Sequence, residues 1–338
     1  MTEAPSTAAL AAAFALTEVS DDSLSPWSPV HRAIASDGRA VVVKRTSSRA
    51  EAMASWTRAL AAAGVPVVTP EPLEKPNPQR IVEEQFVVYP FVPGRPYDAA
   101  TDSATLGDLL GRLHAADVPA KVLGGLRDYA FPETEREDVD DDLETLSARL
   151  PAMLGPEEGE RAVAAVRALA ERWWVTALPA LKAADAAGEL PRAGVSSDYK
   201  AANVVIGQEG PVLVDPDNGG HEPRLFDLAM AAVLLHHESP SAPARLQDAR
   251  EWDAFVRAYL AHVELTERER ELWPHAVDHM LWEEGTWVLE DNDEDAWADI
   301  RQGGYLRALA VAVPEDFPLP RRGAGGLPAA AESGAAHG

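Results

Sequence analysis

Oxygen-bearing side chains with chemical potential concentrate in one short stretch of the chain. Ser197-Asp198-Tyr199-Lys200-Ala201-Ala202-Asn203 is followed by Val204-Val205-Ile206, then Gly207-Gln208-Glu209-Gly210, then Val212-Leu213-Val214-Asp215. Two apolar runs around a glycine-bounded turn describe a β-hairpin. Positions 203 and 215 lie equally far from 209, so a hairpin folding there sets Asn203 beside Asp215, with Cα atoms ~4.5–5.5 Å apart if they pair directly. Asp198 lies on the loop just before it. An amide and a carboxylate at the hairpin ends offer the oxygen ligands that Mg²⁺ prefers. One Asp to orient an acceptor hydroxyl, with Asn and Asp to hold metal on phosphates, suits phosphoryl transfer. The plainer reading of the same residues is an Asx-rich loop that satisfies its own backbone.

The elements that must position these residues fall into two regions. Residues 17–24, 30–36 and 39–45 read as short strands, separated by the Pro- and Ser-rich 25–29 and by the Asp37-Gly38 turn. Ser47 and Ser48 precede an Ala-rich helix over about 49–63, stopped at Gly64. Two further strands are expected at 65–68 and 81–88, with a Pro-rich loop over 70–78 between them. After Tyr89-Pro90-Phe91-Val92-Pro93-Gly94 the pattern becomes helical: Leu106, Leu109, Leu110 and Leu113 follow helical spacing. Helices fill 133–190 and continue after the hairpin to about 313. The fold class is therefore α+β, with a β-rich lobe over 1–90, a helical lobe over 91–313, and a Gly-, Pro- and Ala-rich tail over 314–338 expected to be disordered.

Composition narrows the function. The 338 residues carry a formal charge of −25, which argues against nonspecific nucleic-acid binding. There is no cysteine, which removes disulfides, thiolate metal sites and thiol nucleophiles. The apolar run over 8–16 is too short to span a bilayer, so a cytoplasmic protein without membrane partners is expected. Lysine is scarce: Lys44, Lys75, Lys121, Lys182 and Lys200 are the full set against a background of arginine.

Residues 198–203, 212–215 and Leu225-Phe226-Asp227-Leu228-Ala229 resemble the catalytic region of aminoglycoside-phosphotransferase-like kinases, small-molecule kinases with the two-lobed protein-kinase fold. Val41-Val42-Val43-Lys44 is similar to their third-strand lysine, residues 87–94 to their hinge, and Leu110-Gly111-Arg112-Leu113-His114-Ala115 to the helix that follows. The resemblance runs from about residue 17 to 313. It implies ATP and Mg²⁺ as cofactors, with Asp198 as the catalytic Asp and Asn203 and Asp215 as metal ligands. Lys44 would meet nucleotide phosphates, with Glu51 as its ion-pair partner, and backbone near Tyr89, Phe91 and Val92 would hold adenine. Asp227 would brace the catalytic loop. Ser196-Ser197-Asp198 departs from the family's His-Gly-Asp, and Lys200 resembles instead the lysine of protein kinases, placed to neutralise the transferring phosphoryl group. No glycine-rich phosphate loop exists; residues 21–29 take its place.

Asp217, two residues beyond Asp215, faces the same side of an extended segment and is expected to join the metal or receive a substrate amine. His221 is either a loop brace or a substrate contact. Trp282, Glu283, Glu284 and Trp287 supply aromatic faces and carboxylates for an acceptor, whereas the acidic run over 290–295 reads as a solvated face. Within the resemblance, residues 215–221 look most like actinobacterial glucosamine kinases, which are related to maltokinases. That implies a small amino sugar as the partner of a monomer or weak homo-oligomer, phosphorylated on its 6-hydroxyl. An aminoglycoside or neutral-sugar kinase, and an inactive pseudokinase serving as a binding module, are the alternatives.

Overall fold

The computed structural model describes residues 5–25 and 29–321. The middle of the expected 25–29 loop and most of the tail lie outside the described residues. In chain order the elements are α1 (Thr7–Phe14), β1 (Glu18–Ser23), β2 (Val30–Ile34), β3 (Ala40–Thr46), α2 (Ala50–Ala62), β4 (Gln79–Ile81) and β5 (Glu84–Pro90). Then come α3 (Ser103–Ala115), α4 (Ala120–Leu123), β6 (Arg127–Asp128), α5 (Arg136–Leu154), α6 (Pro156–Arg172) and α7 (Leu178–Ala186). They are followed by β7 (Arg192–Val195), β8 (Val204–Gly207), β9 (Gly210–Leu213), β10 (Gly220–Pro223) and α8 (Arg224–Leu234). The last are α9 (Ala249–Leu260), α10 (Glu267–Met280), α11 (Thr286–Asp291), α12 (Glu294–Ala298) and α13 (Ile300–Leu309).

β1 to β5 form one antiparallel sheet in the order β1-β2-β3-β5-β4. The period of two along a strand sorts its side chains between two faces. Val41 and Val43 of β3 and Phe86 and Val88 of β5 face a core closed by Leu10 and Phe14 of α1. Val42 and Val87 and Tyr89 face the other way, into a separate apolar cluster with Val68, Val92, Val212 and Val214. Lys44 follows Val42 on that second face. The sheet thus has a packed back and a front that looks toward the helical lobe.

The helical lobe is built on one continuous core from α2 to Phe317. Two small sheets are set into it: β6-β10-β7 and the hairpin β8-β9. The connection from the first sheet is pinned to this hairpin, with Arg95 and Ile206 exchanging backbone hydrogen bonds at 3.0 and 2.9 Å. Gly94 permits this approach, because a Cβ there would sit 2.5 Å from the Ile206 carbonyl oxygen.

The two-lobed mixed fold agrees with the sequence reading, and four details differ from it. The 8–16 run forms α1, capped by the Ser6 hydroxyl, and serves as the cover of the sheet. Residues 65–68 make only an isolated bridge, Val67 to Leu213, because that segment crosses to the hairpin instead of joining the first sheet. Residues 314–321 are packed: Phe317 is buried and its carbonyl accepts from Trp273 Nε1, while Pro318 accepts from Trp252 Nε1. The hairpin turns on Gln208-Glu209, pairing Val204 with Leu213 and Gly207 with Gly210. Asn203 therefore lies opposite Val214, whose N–H it accepts at 2.9 Å, and Asp215 lies one residue beyond.

Candidate active site

β7 delivers the loop over 196–203, and the loop's first two amides are captured. Asp227, in the first turn of α8, accepts the Ser196 N–H at 3.0 Å and the Ser197 N–H at 2.9 Å. Its third donor is His114 Nε2 of α3 at 2.9 Å, and His114 Nδ1 lies 3.0 Å from the Tyr259 hydroxyl. Charge-assisted bonds of this kind are stronger than neutral ones. They hold Ser197 at φ +52°, a left-handed conformation that a serine seldom adopts.

Asp198 follows immediately. Asn203 donates its side-chain amide to the Asp198 carbonyl at 2.8 Å and to Asp198 Oδ2 at 3.0 Å, and Asn218 Nδ2 lies 3.3 Å from the same oxygen. Lys200 Nζ sits 3.3 Å from Asp198 Oδ1 and 2.5 Å from Glu238 Oε2. Burial alone would lower the Lys200 pKa; the charges of Asp198 and Glu238 outweigh it and keep the ammonium above its usual range.

Lys44 is almost fully buried and bridges two carboxylates, Asp215 Oδ1 at 2.6 Å and Asp217 Oδ2 at 3.1 Å. Tyr89 donates its hydroxyl to Asp217 Oδ1 at 2.8 Å. Burial opposes the Lys44 charge, but Asp215 and then Asp217 raise its pKa on balance. Two expectations need correcting here. Glu51 is exposed on α2 and Lys44 takes its partners from the hairpin exit. Asp217 is locked between Lys44 and Tyr89, so it belongs to the lysine side of the site and not to an acceptor amine.

The apolar cluster of Val42, Val68, Val87, Tyr89, Val92, Val212 and Val214 lies beside Lys44 and draws on both lobes. Phe91 donates its N–H to Ala40 and carries the Arg32 guanidinium 4.5 Å from its ring centre. The Val92 backbone makes no hydrogen bond among the described residues. With the amide nitrogen of Asn203 held by Asp198 and Oδ1 of Asp215 held by Lys44, each residue keeps one oxygen without a partner among the described residues. Two hard oxygens suit Mg²⁺, which takes one or two protein ligands and completes its shell with phosphate and water.

A cavity of about 380 Å³ opens beside the loop, rimmed by Ser197 and Asn218 and lined by Tyr129, Glu222, Glu283 and Glu284. The two neighbouring glutamates come from a π-helical turn, Leu281–Gly285, that continues α10. Such a widened turn is common at functional sites. Burial above all, then the adjacent Glu284, pushes Glu283 up to about 7. Glu284 is raised as well, first by burial and next by Asp198. Glu222 is engaged with Arg127 at 2.8 Å.

The remaining sequence candidates lie elsewhere. Trp282 is buried and stacked on Trp173 at 5.2 Å, a core residue that does not line the cavity. Trp287 is 57% exposed on α11. His221 of β10 does not line the cavity itself and sits 3.5 Å from Asp128, which does. His114, Asn218, Glu222, Tyr129 and Glu238 were not foreseen as site residues. Only His114 carried a signal, a polar residue on the apolar face of a leucine-spaced helix.

The model of the phosphotransferase enzyme family matches residues 25–273. The chain belongs to that family. No curated protein matches it in sequence. Among solved structures it is similar to the microcompartment-associated aminopropanol kinase, with TM-score 0.62 and 16% identity over 91% of this chain and 95% of that one. It is also similar to an aminoglycoside phosphotransferase from Alicyclobacillus acidocaldarius, with TM-score 0.58 and 16% identity over 92% and 93%. A third is spectinomycin phosphotransferase with ADP and spectinomycin, with TM-score 0.52 and 13% identity over 88% and 93%. At these identities the likeness is one of fold. Among the described residues, no helix is long and apolar enough to cross a membrane.

Proposed function

We propose that this family member is an ATP- and Mg²⁺-dependent kinase that phosphorylates the 6-hydroxyl of glucosamine. The observation that carries the reading is the cavity whose rim adjoins Asp198 and whose wall holds Glu283 and Glu284. A carboxylate pair raised by burial is costly unless a cation offsets it, and an ammonium does so with a charge-assisted hydrogen bond. The aminopropanol and aminoglycoside kinases named above act on aminated alcohols by their names, which agrees with this assignment.

In this reading Asp198 orients the acceptor hydroxyl and receives its proton, while Asn203 and Asn218 fix the carboxylate. Lys200, already 3.3 Å from Asp198, offsets charge on the transferring phosphoryl group. Lys44, beside Asp215, would meet the nucleotide phosphates, and the valine cluster would receive adenine. Asn203 and Asp215 would hold Mg²⁺, which neutralises phosphate charge when bound.

Mg-ATP consumption with glucosamine, glucose, maltose and kanamycin tests the assignment in one assay. Turnover with glucosamine well above the other three is expected. Preference for kanamycin moves the assignment to an aminoglycoside kinase, preference for a neutral sugar removes the amine from it, and binding of Mg-ATP without turnover on any of them indicates a binding module.

A further inference from the structure

One wall of the acceptor cavity is wired in a way that the transfer chemistry does not require. Trp173 Nε1 donates to His279 Nδ1 at 2.9 Å, and His279 Nε2 contacts the Tyr129 hydroxyl at 2.5 Å. An indole nitrogen is a donor only, so His279 Nδ1 must be the acceptor and carries no proton. A neutral imidazole then bears its hydrogen on Nε2 and donates it to the Tyr129 oxygen. Burial, and after it the charge of Lys182, pushes His279 down to about 3, which keeps the ring neutral throughout the working range.

The consequence falls on Tyr129. Its oxygen already accepts from His279, so its own hydrogen must go elsewhere, and among the described residues no acceptor takes it. Its ring is wedged by Phe226 at 4.9 Å and Phe131 at 5.1 Å, both edge-on, which fixes the direction of the C–O bond. Tyr129 lines the cavity that also holds Glu283 and Glu284.

We propose that Tyr129 is a specificity-determining residue, donating one fixed hydrogen bond to a hydroxyl oxygen of the acceptor whose ammonium lies against Glu283 and Glu284. The inference rests on the amino-sugar reading and adds a second point of recognition to it. The relay from Trp173 through His279 makes the hydroxyl a donor and leaves it no other role, so the site selects an acceptor that carries both an amine and a correctly placed lone pair. A simple amine with no such oxygen satisfies only the carboxylates.

The test pairs Tyr129→Phe with glucosamine and its 1-, 3- and 4-deoxy derivatives, measuring kcat/KM for each on wild-type and variant enzyme. The substitution keeps the ring and its packing. Loss of one neutral hydrogen bond is expected to lower kcat/KM for glucosamine about 10-fold, through KM. One deoxy derivative should lose about as much on the wild type, yet lose nothing further on the variant, and Mg-ATP affinity should not move. Equal penalties for every deoxy derivative on both enzymes overturn the proposal while leaving the amino-sugar assignment intact. A wild type that phosphorylates no aminated sugar overturns that assignment and this inference with it.

Discussion

Asn203 turns its side-chain amide back onto Asp198, donating to the carbonyl at 2.8 Å and to Oδ2 at 3.0 Å. The bond does two things. It fixes the Asp198 carboxylate, which Asn218 and Lys200 approach only at 3.3 Å, and it leaves the Asn203 oxygen as the outward atom. Asn203→Ala should therefore raise the Mg²⁺ concentration for half-maximal activity by ~10- to 100-fold and lower kcat at saturating Mg²⁺. Activity titrated with Mg²⁺ checks this; an unchanged midpoint would remove Asn203 from the metal assignment.

Asp227 braces the loop through two amides and His114. Asn at this position offers a single acceptor oxygen and brings an N–H against donors, leaving at least one buried donor unpaired at about 1–3 kcal/mol. Asp227→Asn should lower the thermal midpoint and reduce kcat, with Mg-ATP affinity unchanged because Lys44 and the valine cluster are untouched. Calorimetric unfolding and nucleotide titration of the same preparation separate the two effects.

Glu283 carries the clearest pH signature. Its carboxyl is raised to about 7 by burial and Glu284, with Asp142 adding to the rise and Lys182 opposing it. A raised carboxyl binds its proton more tightly in the folded state, so stability is lost as pH climbs from the ordinary glutamate range through about 7. Glu283→Gln should stabilise the protein at pH 8, by up to about 3 kcal/mol on the linkage scale, and hardly at all at pH 4. The same change should weaken glucosamine binding at pH 8. A wild-type KM for glucosamine should fall as pH rises through about 7, until the amine itself loses its proton; a flat profile would contradict the ammonium contact.

The two tryptophans of the acceptor-side segment should behave oppositely. Trp282→Ala removes a buried indole stacked on Trp173 and should cost about 3–5 kcal/mol of stability. Trp287→Ala changes a mostly exposed ring and should leave the unfolding midpoint within about 0.5 kcal/mol of wild type. Denaturant midpoints of the two variants, measured side by side, decide the point.

What the sequence made legible follows from local rules. The alternation of β3 put Lys44 and Val42 on one face, and the glycine-bounded turn marked the hairpin. The partner of Lys44 was not legible, because Glu51, Asp215 and Asp217 all have the right charge and only the packing of α2 against the sheet turns Glu51 outward. Trp282 and Glu283 are adjacent on a helix and so face different directions; which of them meets the core is decided by the stacking of Trp282 on Trp173, a tertiary contact that the sequence does not spell out. The Trp173–His279–Tyr129 relay joins residues more than a hundred positions apart and has no local signature.

The role proposed for Asp198, orienting a glucosamine hydroxyl for phosphoryl transfer, makes turnover depend on its carboxylate. The direct measurement is the rate of glucosamine phosphate formation by wild type and Asp198→Ala at saturating Mg-ATP, with nucleotide affinity measured on both. Turnover by the wild type, a loss of about 10³-fold in the variant, and equal affinity for Mg-ATP are expected. Phosphorylation of glucosamine by Asp198→Ala at a rate near that of the wild type would contradict that role.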